Sequence, residues 1–182
     1  LDGNGNLVIK TSKVEEKYAS GAIESRNKFH HKYGFWTARC KFHNQKGHWP
    51  GFWLFCDTIG TEIDGNGKKG MEIDIMEKAF TRDIITHTLH WDGYGEHHKS
   101  TCRYIRHKGI SDGWHTFSLY WTPEHFTFYV DGRQTWQTDD GGVSQVPQFI
   151  IFSDEVGSFT GDITKAQLPD FFTVDYVRVY DN

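Results

Sequence analysis

Three carboxylates fall within the six residues Glu72–Glu77, whose other members are typical of a buried strand. Side chains alternate between the two faces of a strand, so Glu72 and Asp74 share one face while Glu77 would point to the other. A one-residue bulge between Asp74 and Glu77 brings all three carboxylates to the same face, and bulges are over-represented beside active sites. The sequence therefore predicts a bulged strand that carries three acids on one wall.

Paired carboxylates of this kind suit the chemistry of a retaining glycosidase. One carboxylate attacks the anomeric carbon and the other, protonated, gives its proton to the leaving oxygen, with the two groups about 5–5.5 Å apart. A third acid disfavours ionisation of its neighbours, so we expect Asp74 to keep one glutamate protonated near neutral pH. The residue types alone leave two other interpretations open, a solvated acidic strand and a calcium-binding edge.

The segment Gly70–Glu77 resembles the signature of glycoside hydrolase family 16 in its bulged form. Further segments resemble motifs of the same family in the same order, so that the resemblance covers nearly the whole chain. On this interpretation Glu72 is the nucleophile, Glu77 the acid/base catalyst and Asp74 the acid that tunes their protonation. The further segments are Tyr33–Arg39, Trp49–Leu54, Thr88–Trp91, Tyr120–Pro123, Tyr129–Gly132 and Val174–Tyr180.

Short alternating runs separated by turn residues recur along the chain, and no window has a convincing helical period. Phe126–Val130 followed by Asp131-Gly132 predicts a β-hairpin, and Asp170–Tyr180 predicts a closing strand. Many short strands predict an all-β, antiparallel two-sheet sandwich, and the resemblance implies a jelly roll with a concave substrate cleft. We expect residues 1–182 to form a single catalytic domain that lacks the family's first N-terminal strand segment.

Six further residues are candidates for contacts with substrate. The resemblance places Arg39 in the cleft against sugar hydroxyls, and the flat face of Trp53 suits the apolar face of a pyranose ring. His90 lies on the strand that should pair with the acidic strand, where it would contact the carboxylates or the sugar. Each of the three has an alternative role. Arg39 could be a surface cation, Trp53 could pack in the core, and His90 could be a structural histidine. The six candidates are Arg39, Trp53, His90, Trp91, Glu155 and Phe159.

The resemblance also implies one structural calcium ion on the convex face. Its ligands would be the carboxylate of Asp175 and backbone carbonyls near Gly5, and calcium prefers six to eight oxygen ligands. We expect no cofactor to be required for catalysis itself. The eleven histidines include adjacent pairs, whose members face opposite sides of a strand, so surface loops explain them better than a metal site does.

The three cysteines permit at most one disulfide and leave its pairing open. Cys40 and Cys56 lie within apolar strand patterns, where a small buried thiol is expected. Cys102 is the third. No Cys-x-x-Cys motif exists in the sequence, which argues against a cysteine-based zinc site.

The composition agrees with an extracellular all-β domain. A formal net charge of −4 argues against a nucleic-acid or membrane-surface partner. Aromatic residues make up 16% of the chain and include seven tryptophans, more than a core of this size needs. No run approaches the roughly 18 apolar residues of a spanning helix, and no signal-peptide pattern is present. We expect a secreted or periplasmic monomer whose partner is a polysaccharide.

Two classes of function follow. The first is an endo-acting retaining glycoside hydrolase that cleaves β-1,3-glucan or mixed β-1,3-1,4-glucan, with an endo-β-galactosidase or galactanase as the alternative. The second is a carbohydrate-binding module, since jelly rolls host lectins as well as hydrolases. A lectin has no need for three converging acids, so the sequence favours the enzyme, but nothing in it names the sugar.

Overall fold

The computed structural model describes residues 1–181 and folds them into two antiparallel sheets. The strands are β1 (Leu7–Val14), β2 (Lys17–Ala19), β3 (Gly21–Glu24), β4 (Gly34–Lys41), β5 (His48–Phe55), β6 (Glu72–Glu77), β7 (Ile84–Trp91), β8 (Lys99–Arg106), β9 (His115–Trp121), β10 (Phe126–Val130), β11 (Arg133–Thr138), β12 (Phe149–Val156) and β13 (Asp170–Tyr180). One sheet has the order β11-β10-β9-β4-β13-β1-β2, and the other has the order β3-β12-β5-β6-β7-β8. We call them the seven-stranded and the six-stranded sheet. The predicted all-β sandwich is confirmed.

Two predicted local features are confirmed. β10 and β11 form a hairpin in which Asp131 and Gly132 have φ values of 48° and 74°. Two successive positive φ values are what a two-residue hairpin turn requires, and aspartate and glycine tolerate them best. The predicted closing strand is β13, whose bounds match the prediction. Two short 3-10 helices, Ser158–Thr160 and Ile163–Lys165, lie between β12 and β13.

Alternation along β5 separates the core from the outer face of the six-stranded sheet. Phe52 and Leu54 are fully buried between the sheets, whereas Gly51 and Trp53 line a cleft on the outer face. Phe52 stacks on the inward-facing Phe152 of β12 with ring centroids 4.9 Å apart. Full burial of one such side chain stabilises the fold by about 1.5–3 kcal/mol. The inner residues of β5 thus hold its outer residues in place.

A polar network, which we call the His48 network, is buried between the sheets. His48 Nδ1 of β5 lies 2.9 Å from Asp154 Oδ1 of β12, and His48 Nε2 lies 3.3 Å from Asp170 Oδ2 of β13. Thr11 of β1 donates its hydroxyl to Asp154, and His43 pairs with Asp170. Because β5 and β12 belong to one sheet and β1 and β13 to the other, this network connects the two layers.

The three cysteines are free thiols in the described range, residues 1–181. Cys40 and Cys56 are buried, as predicted, and burial strongly raises the pKa of the Cys40 thiol. Cys102 is exposed on β8. Among the described residues, no helix has the length and apolar character needed to cross a membrane.

Candidate active site

The acidic strand β6 is bulged, as predicted. Asp74 pairs with Thr88 of β7 but Glu77 pairs with Thr86, so three steps along β6 match two steps along β7. The two residues in the bulge, Ile75–Met76, both have fully buried side chains. The bulge therefore turns two consecutive side chains into the core and returns Glu77 to the outer face.

A buried histidine satisfies the backbone of the bulge. His87 of β7 donates Nδ1–H to the carbonyl oxygen of Ile75 at 2.6 Å, and its Nε2 lies 2.9 Å from the Thr135 hydroxyl. Burial lowers the pKa of His87 to about 4, so the ring is neutral near pH 7 and carries its proton on the nitrogen that faces the carbonyl. Buried carbonyls left out of a ladder need such a partner. His87 thus supports the backbone beside Glu77.

The three carboxylates line one open cleft on the outer face of the six-stranded sheet. Gly51 lies opposite Glu77 on the floor of this cleft, where an added Cβ would come within 3.3 Å of Trp53. Because glycine has no side chain, this position leaves space in the cleft next to Glu77. The walls are aromatic and polar, formed by Trp49, Trp53, Phe55, Tyr94, Ser153 and Glu155.

Hydroxyl groups orient the two glutamates. Tyr94, in the loop after β7, donates its hydroxyl to Glu72 Oε2. Thr88 and Thr86 donate their hydroxyls to Glu77 Oε2 at 3.0 and 3.3 Å. Each glutamate is therefore held by neutral donors, and within residues 1–181 neither has a Lys or Arg side chain paired with it; the imidazole of His90 lies beside Glu72.

Burial is the largest cause of raised pKa values in this cluster. It raises the pKa of Glu72 to about 7, with the charges of Glu77 and Glu155 adding to the effect. The pKa of Glu77 is also raised by burial and by Glu155, against the hydroxyl bonds that lower it. The pKa of Asp74 is raised well above its ordinary value by burial and by Glu77 and Glu72. Protons are therefore shared within the cluster near neutral pH.

This electrostatic arrangement differs from the predicted role of Asp74. Asp74 is only 4% exposed, and burial raises its pKa well above the ordinary value, which favours its protonated, neutral form. A neutral group does not raise the pKa of Glu77 by repulsion. The fixed negative charge that acts on both glutamates comes from Glu155 instead. The charge-tuning role of Asp74 stays a prediction, and the burial of its carboxyl group disfavours it.

His90 lies beside the acids, as predicted. It pairs with Glu72 across β6 and β7, and its Nε2 lies 3.3 Å from Asp74 Oδ2 and 3.6 Å from Glu72 Oε1. Its Nδ1 lies 2.8 Å from Nε2 of His98. Burial, with His98 adding to it, lowers the pKa of His90 to about 4, so the ring is neutral near pH 7.

Comparison with known proteins identifies the family. The model of glycosyl hydrolases family 16 matches residues 2–178. The chain belongs to this family. A laminarinase from Flavobacterium sp. UMI-01 superposes on it with a TM-score of 0.81 and 28% identity, covering 98% of this chain and 80% of that chain. The jelly-roll fold is thereby confirmed.

Curated relatives of this family 16 chain act on different glycans. A keratan-sulfate endo-1,4-beta-galactosidase of Sphingobacterium multivorum is 30% identical over 171 residues, which are 90% of this chain and 40% of that protein. A beta-glucanase of Fibrobacter succinogenes is 28% identical over 179 residues, 93% of this chain and 49% of that protein. The chain thus spans less than half of either relative.

Besides His90, three more of the predicted substrate contacts lie in or beside the cleft. Trp53 lines it and donates its indole N–H to the hydroxyl of Ser153 at 3.0 Å. Glu155 also lines it, on the same face of β12 as Ser153. Phe159 lies at the margin, where its ring packs edge-on against Trp49 with centroids 5.6 Å apart. Its ring is 66% exposed and free to contact a bound chain.

The prediction that Arg39 lies in the cleft is wrong. Arg39 belongs to β4 of the seven-stranded sheet, whereas the cleft is on the six-stranded sheet. Its guanidinium donates to Asp175 Oδ2 at 2.6 Å and lies over the ring of Trp114. The alternation of its strand correctly turned Arg39 away from the core, but toward the opposite outer surface.

The prediction that Trp91 contacts substrate is also wrong. β7 stays paired through Trp91, which lies opposite Lys99 of β8. Since neighbouring residues face opposite sides of a strand, the outward position of His90 turns Trp91 into the core, where it is 8% exposed. Its ring packs against the backbone of Gly141.

The predicted calcium ligands do not fit a cation. The Asp175 carboxylate is paired with the Arg39 guanidinium, which an ion at this position would have to displace. The turn at Gly5 is held by Asp2, which accepts hydrogen bonds from the backbone N–H groups of Asn4 and Asn6. The calcium site stays a prediction, and the arrangement of charges disfavours it.

Several cleft residues had escaped the sequence analysis. Thr86 and Thr88 alternate with His90 along β7, so their parity could have placed them on the acidic face. Trp49 has the same parity as Trp53 on β5. Tyr94 lies in a glycine-rich loop without periodicity, and no local signal could have placed its hydroxyl on Glu72.

Proposed function

We propose that this chain is the catalytic domain of an endo-acting, retaining glycoside hydrolase that cleaves β-1,3-glucan or mixed β-1,3-1,4-glucan. The observation that carries the proposal is the bulge of β6, which brings Glu72, Asp74 and Glu77 to one open cleft lined by aromatic rings. Retention is the general property of family 16, and the paired carboxylates supply the two groups that it needs.

In the first step, a carboxylate oxygen of Glu72 bonds to the anomeric carbon while the bond from this carbon to the leaving oxygen breaks. Glu77 gives its proton to the leaving oxygen, and a covalent glycosyl ester on Glu72 results. In the second step, water loses a proton to Glu77 and attacks the anomeric carbon, which releases Glu72. Two inversions preserve the configuration of the cleaved bond.

The supporting residues fit these roles. Tyr94 donates to Glu72 and stabilises the ionised form that attacks, against the burial that raises the pKa of Glu72 to about 7. The charge of Glu155 raises the pKa of Glu77 and so favours the protonated form that serves as acid. Burial favours the neutral forms of Asp74 and His90, which lie beside these groups.

The assignment of a glucan rests on relatives. The beta-glucanase of Fibrobacter succinogenes and the laminarinase of Flavobacterium sp. UMI-01 support a β-glucan. The keratan-sulfate endo-1,4-beta-galactosidase of Sphingobacterium multivorum supports the second candidate, a β-galactan. Rings such as Trp49 and Trp53 stack on either sugar, so the aromatic walls favour a polysaccharide without choosing between them.

Release of reducing sugar from a panel of laminarin, mixed-linkage β-glucan and β-galactan tests the proposal. We expect release from one of the two glucans and a loss of at least about a thousandfold in the Glu72→Gln variant, equivalent to about 4 kcal/mol. Release from galactan alone would establish the second candidate. Binding of glycan without release from any of them would mean a carbohydrate-binding module and contradict the enzyme.

Secretion and a monomeric state complete the proposal. The mild net charge of −4 is compatible with an extracellular domain. Localisation of the full-length protein in the producing cell and sedimentation of the purified chain test these two points. An intracellular protein or a stable oligomer would contradict them.

A further inference from the structure

A second group of ligating side chains lies outside the cleft, at the start of β9. His107 follows β8, His115 is the first residue of β9, and Asp131 is in the turn of the β10–β11 hairpin. One ligand atom from each of the three lies within 4.8 Å of the other two. His107 Nε2 is 3.4 Å from Asp131 Oδ2, and His115 Nδ1 is 2.7 Å from the same oxygen.

We propose that His107, His115 and Asp131 form a binding site for a divalent transition-metal ion, with zinc as the expected ion. Two imidazoles and one carboxylate are ligands that Zn²⁺ prefers, at bond lengths of about 2.0–2.2 Å. Tetrahedral bonds of this length set ligand atoms roughly 3.3 Å apart. The distance from His107 Nε2 to Asp131 Oδ2 already matches this value. The distance from His115 Nδ1 to the same oxygen is shorter and would have to lengthen by about 0.6 Å.

In His115 and Asp131, the polar atom that would not bind the metal forms a hydrogen bond with the backbone. His115 Nε2 donates to the carbonyl oxygen of Gly109 at 3.0 Å, and Asp131 Oδ1 accepts from the N–H of Thr116 at 2.8 Å. A histidine that binds metal usually donates its other N–H to such an acceptor. These bonds leave His115 Nδ1 and Asp131 Oδ2 directed toward each other, as a shared ion requires.

The hydrogen bonds within the group are incomplete without an ion. Both nitrogens of His115 face acceptor oxygens, so a neutral ring, which has one N–H, cannot satisfy both. Neither nitrogen of His107 makes a hydrogen bond within residues 1–181, and its Nδ1 is buried. A metal ion on His115 Nδ1 and His107 Nε2 would satisfy the first ring in its neutral form and would give Nε2 of the second ring a ligand bond.

The surroundings favour a transition metal over calcium or magnesium. Arg103, Arg106 and Arg133 line the pocket that adjoins His107, so the surrounding charge attracts no cation and an ion must be held by its bonds to the ligands. Imidazole ligands suit zinc, copper, nickel and cobalt, whereas calcium and magnesium prefer oxygen. An ion here would tie the loop after β8 to the β10–β11 hairpin, and the expected consequence is stability rather than catalysis.

Titration of the metal-free full chain with Zn²⁺, followed by calorimetry, tests this site. We expect one zinc ion per chain and an affinity that falls at least about tenfold in His107→Gln, as loss of metal contacts produces. Asp131→Asn is the second variant, because it keeps the shape of the turn and the bond from Thr116. His97→Gln, at an exposed histidine of the loop before β8, is the matched control and should bind as the wild type does.

Two further readouts decide the location. Co²⁺ in the wild type should give the visible absorption bands of a tetrahedral ion, which both site variants should lose. Zn²⁺ should raise the melting temperature of the wild type and of His97→Gln but not of Asp131→Asn. Failure to bind zinc, or equal affinity in wild type and both site variants, would overturn the proposal; the latter would place the ion elsewhere, for example at Glu72, Asp74 and His90.

Discussion

Two groups of acids are buried in this molecule, and the pKa of Asp170 in one group moves in the opposite direction to the pKa values of the three acids in the other. In the His48 network, hydrogen bonds from His48 and His43 outweigh burial and lower the pKa of Asp170. Burial alone would lower the pKa of His48, but the Asp154 and Asp170 carboxylates raise it to about 9. In the cleft, burial raises the pKa of all three acids.

The difference lies in the partners of the acids. The His48 network pairs Asp170 with the imidazolium of His48, and each of the two favours the charged form of the other. The imidazole next to Asp74 is that of His90, whose pKa is lowered, so it supplies no positive charge. The first group connects the two sheets, and the second holds exchangeable protons beside an open cleft. Raised acid pKa values without a cation are typical of catalytic sites and disfavour the folded state.

Removing one carboxylate from the His48 network should have the largest effect. Asp154→Asn leaves His48 with a weakened partner in a buried position, and we expect the free energy of unfolding at pH 7 to fall by about 3–5 kcal/mol. Urea denaturation measures it. His97→Gln, an exposed control, should change it by less than about 0.5 kcal/mol.

The pH dependence of that loss follows from His48. Its folded pKa of about 9 exceeds the ordinary 6.5, so its contribution is complete below pH 6.5 and disappears as the pH rises through 9. The difference between wild type and Asp154→Asn should therefore shrink by pH 10. A variant as stable as the wild type at pH 7 would show that the network does not hold the sheets together.

Removing a carboxylate from the cleft should have the opposite effect and raise the free energy of unfolding. The rise in the pKa of Glu72 from 4.5 to about 7 corresponds to a cost of about 3 kcal/mol for its ionised form, at about 1.4 kcal/mol per pKa unit. Glu72→Gln removes this cost, so the variant should be more stable than the wild type above pH 7. Below pH 4.5 both carry a neutral side chain and should be equally stable. Destabilisation at pH 8 would contradict the comparison.

A smaller effect, on the pH–rate profile, should distinguish the role of Glu155 from that of Asp74. Because the charge of Glu155 raises the pKa of both glutamates, Glu155→Gln should move the basic limb of the pH–rate profile to lower pH by about half a unit, as for a charge screened by water. Asp74→Asn replaces a protonated carboxyl by a neutral amide and should leave the limb in place. A shift in Asp74→Asn alone would show that Asp74 is ionised during catalysis.

The predictions from sequence succeeded where the constraint was local. The period of two along β6 required a bulge to gather Glu72 and Glu77, and the same period paired His90 with the acids. The period of two predicts only whether a side chain faces the core or the solvent, and it does not predict the sheet to which a strand belongs. Arg39 was therefore correctly turned outward but assigned to the wrong sheet. Trp91 was misplaced because β7 stays paired through this residue, so its side chain takes the face opposite to that of His90.

Interactions between distant segments could not be predicted. Tyr94 reaches Glu72 from a loop, and His87 supports the bulge by a bond to Ile75 that depends on their cross-strand register. The residues around Asp131 lie in three separate segments, and their spacing matches no motif. The pKa values could not be predicted either, because the pKa of Asp74 depends mainly on how deeply the complete fold buries its carboxyl group.

Chemical rescue by azide tests the central claim, that Glu72 is the nucleophile, most directly. In Glu72→Gly, azide can enter the space left by the carboxylate and attack the anomeric carbon, giving a glycosyl azide of inverted, α configuration. In the matched Glu77→Gly, azide should react with the ester on Glu72 and give the β configuration. NMR of the two products decides. We predict the α-azide from Glu72→Gly and the β-azide from Glu77→Gly, and the reverse pattern would contradict the account.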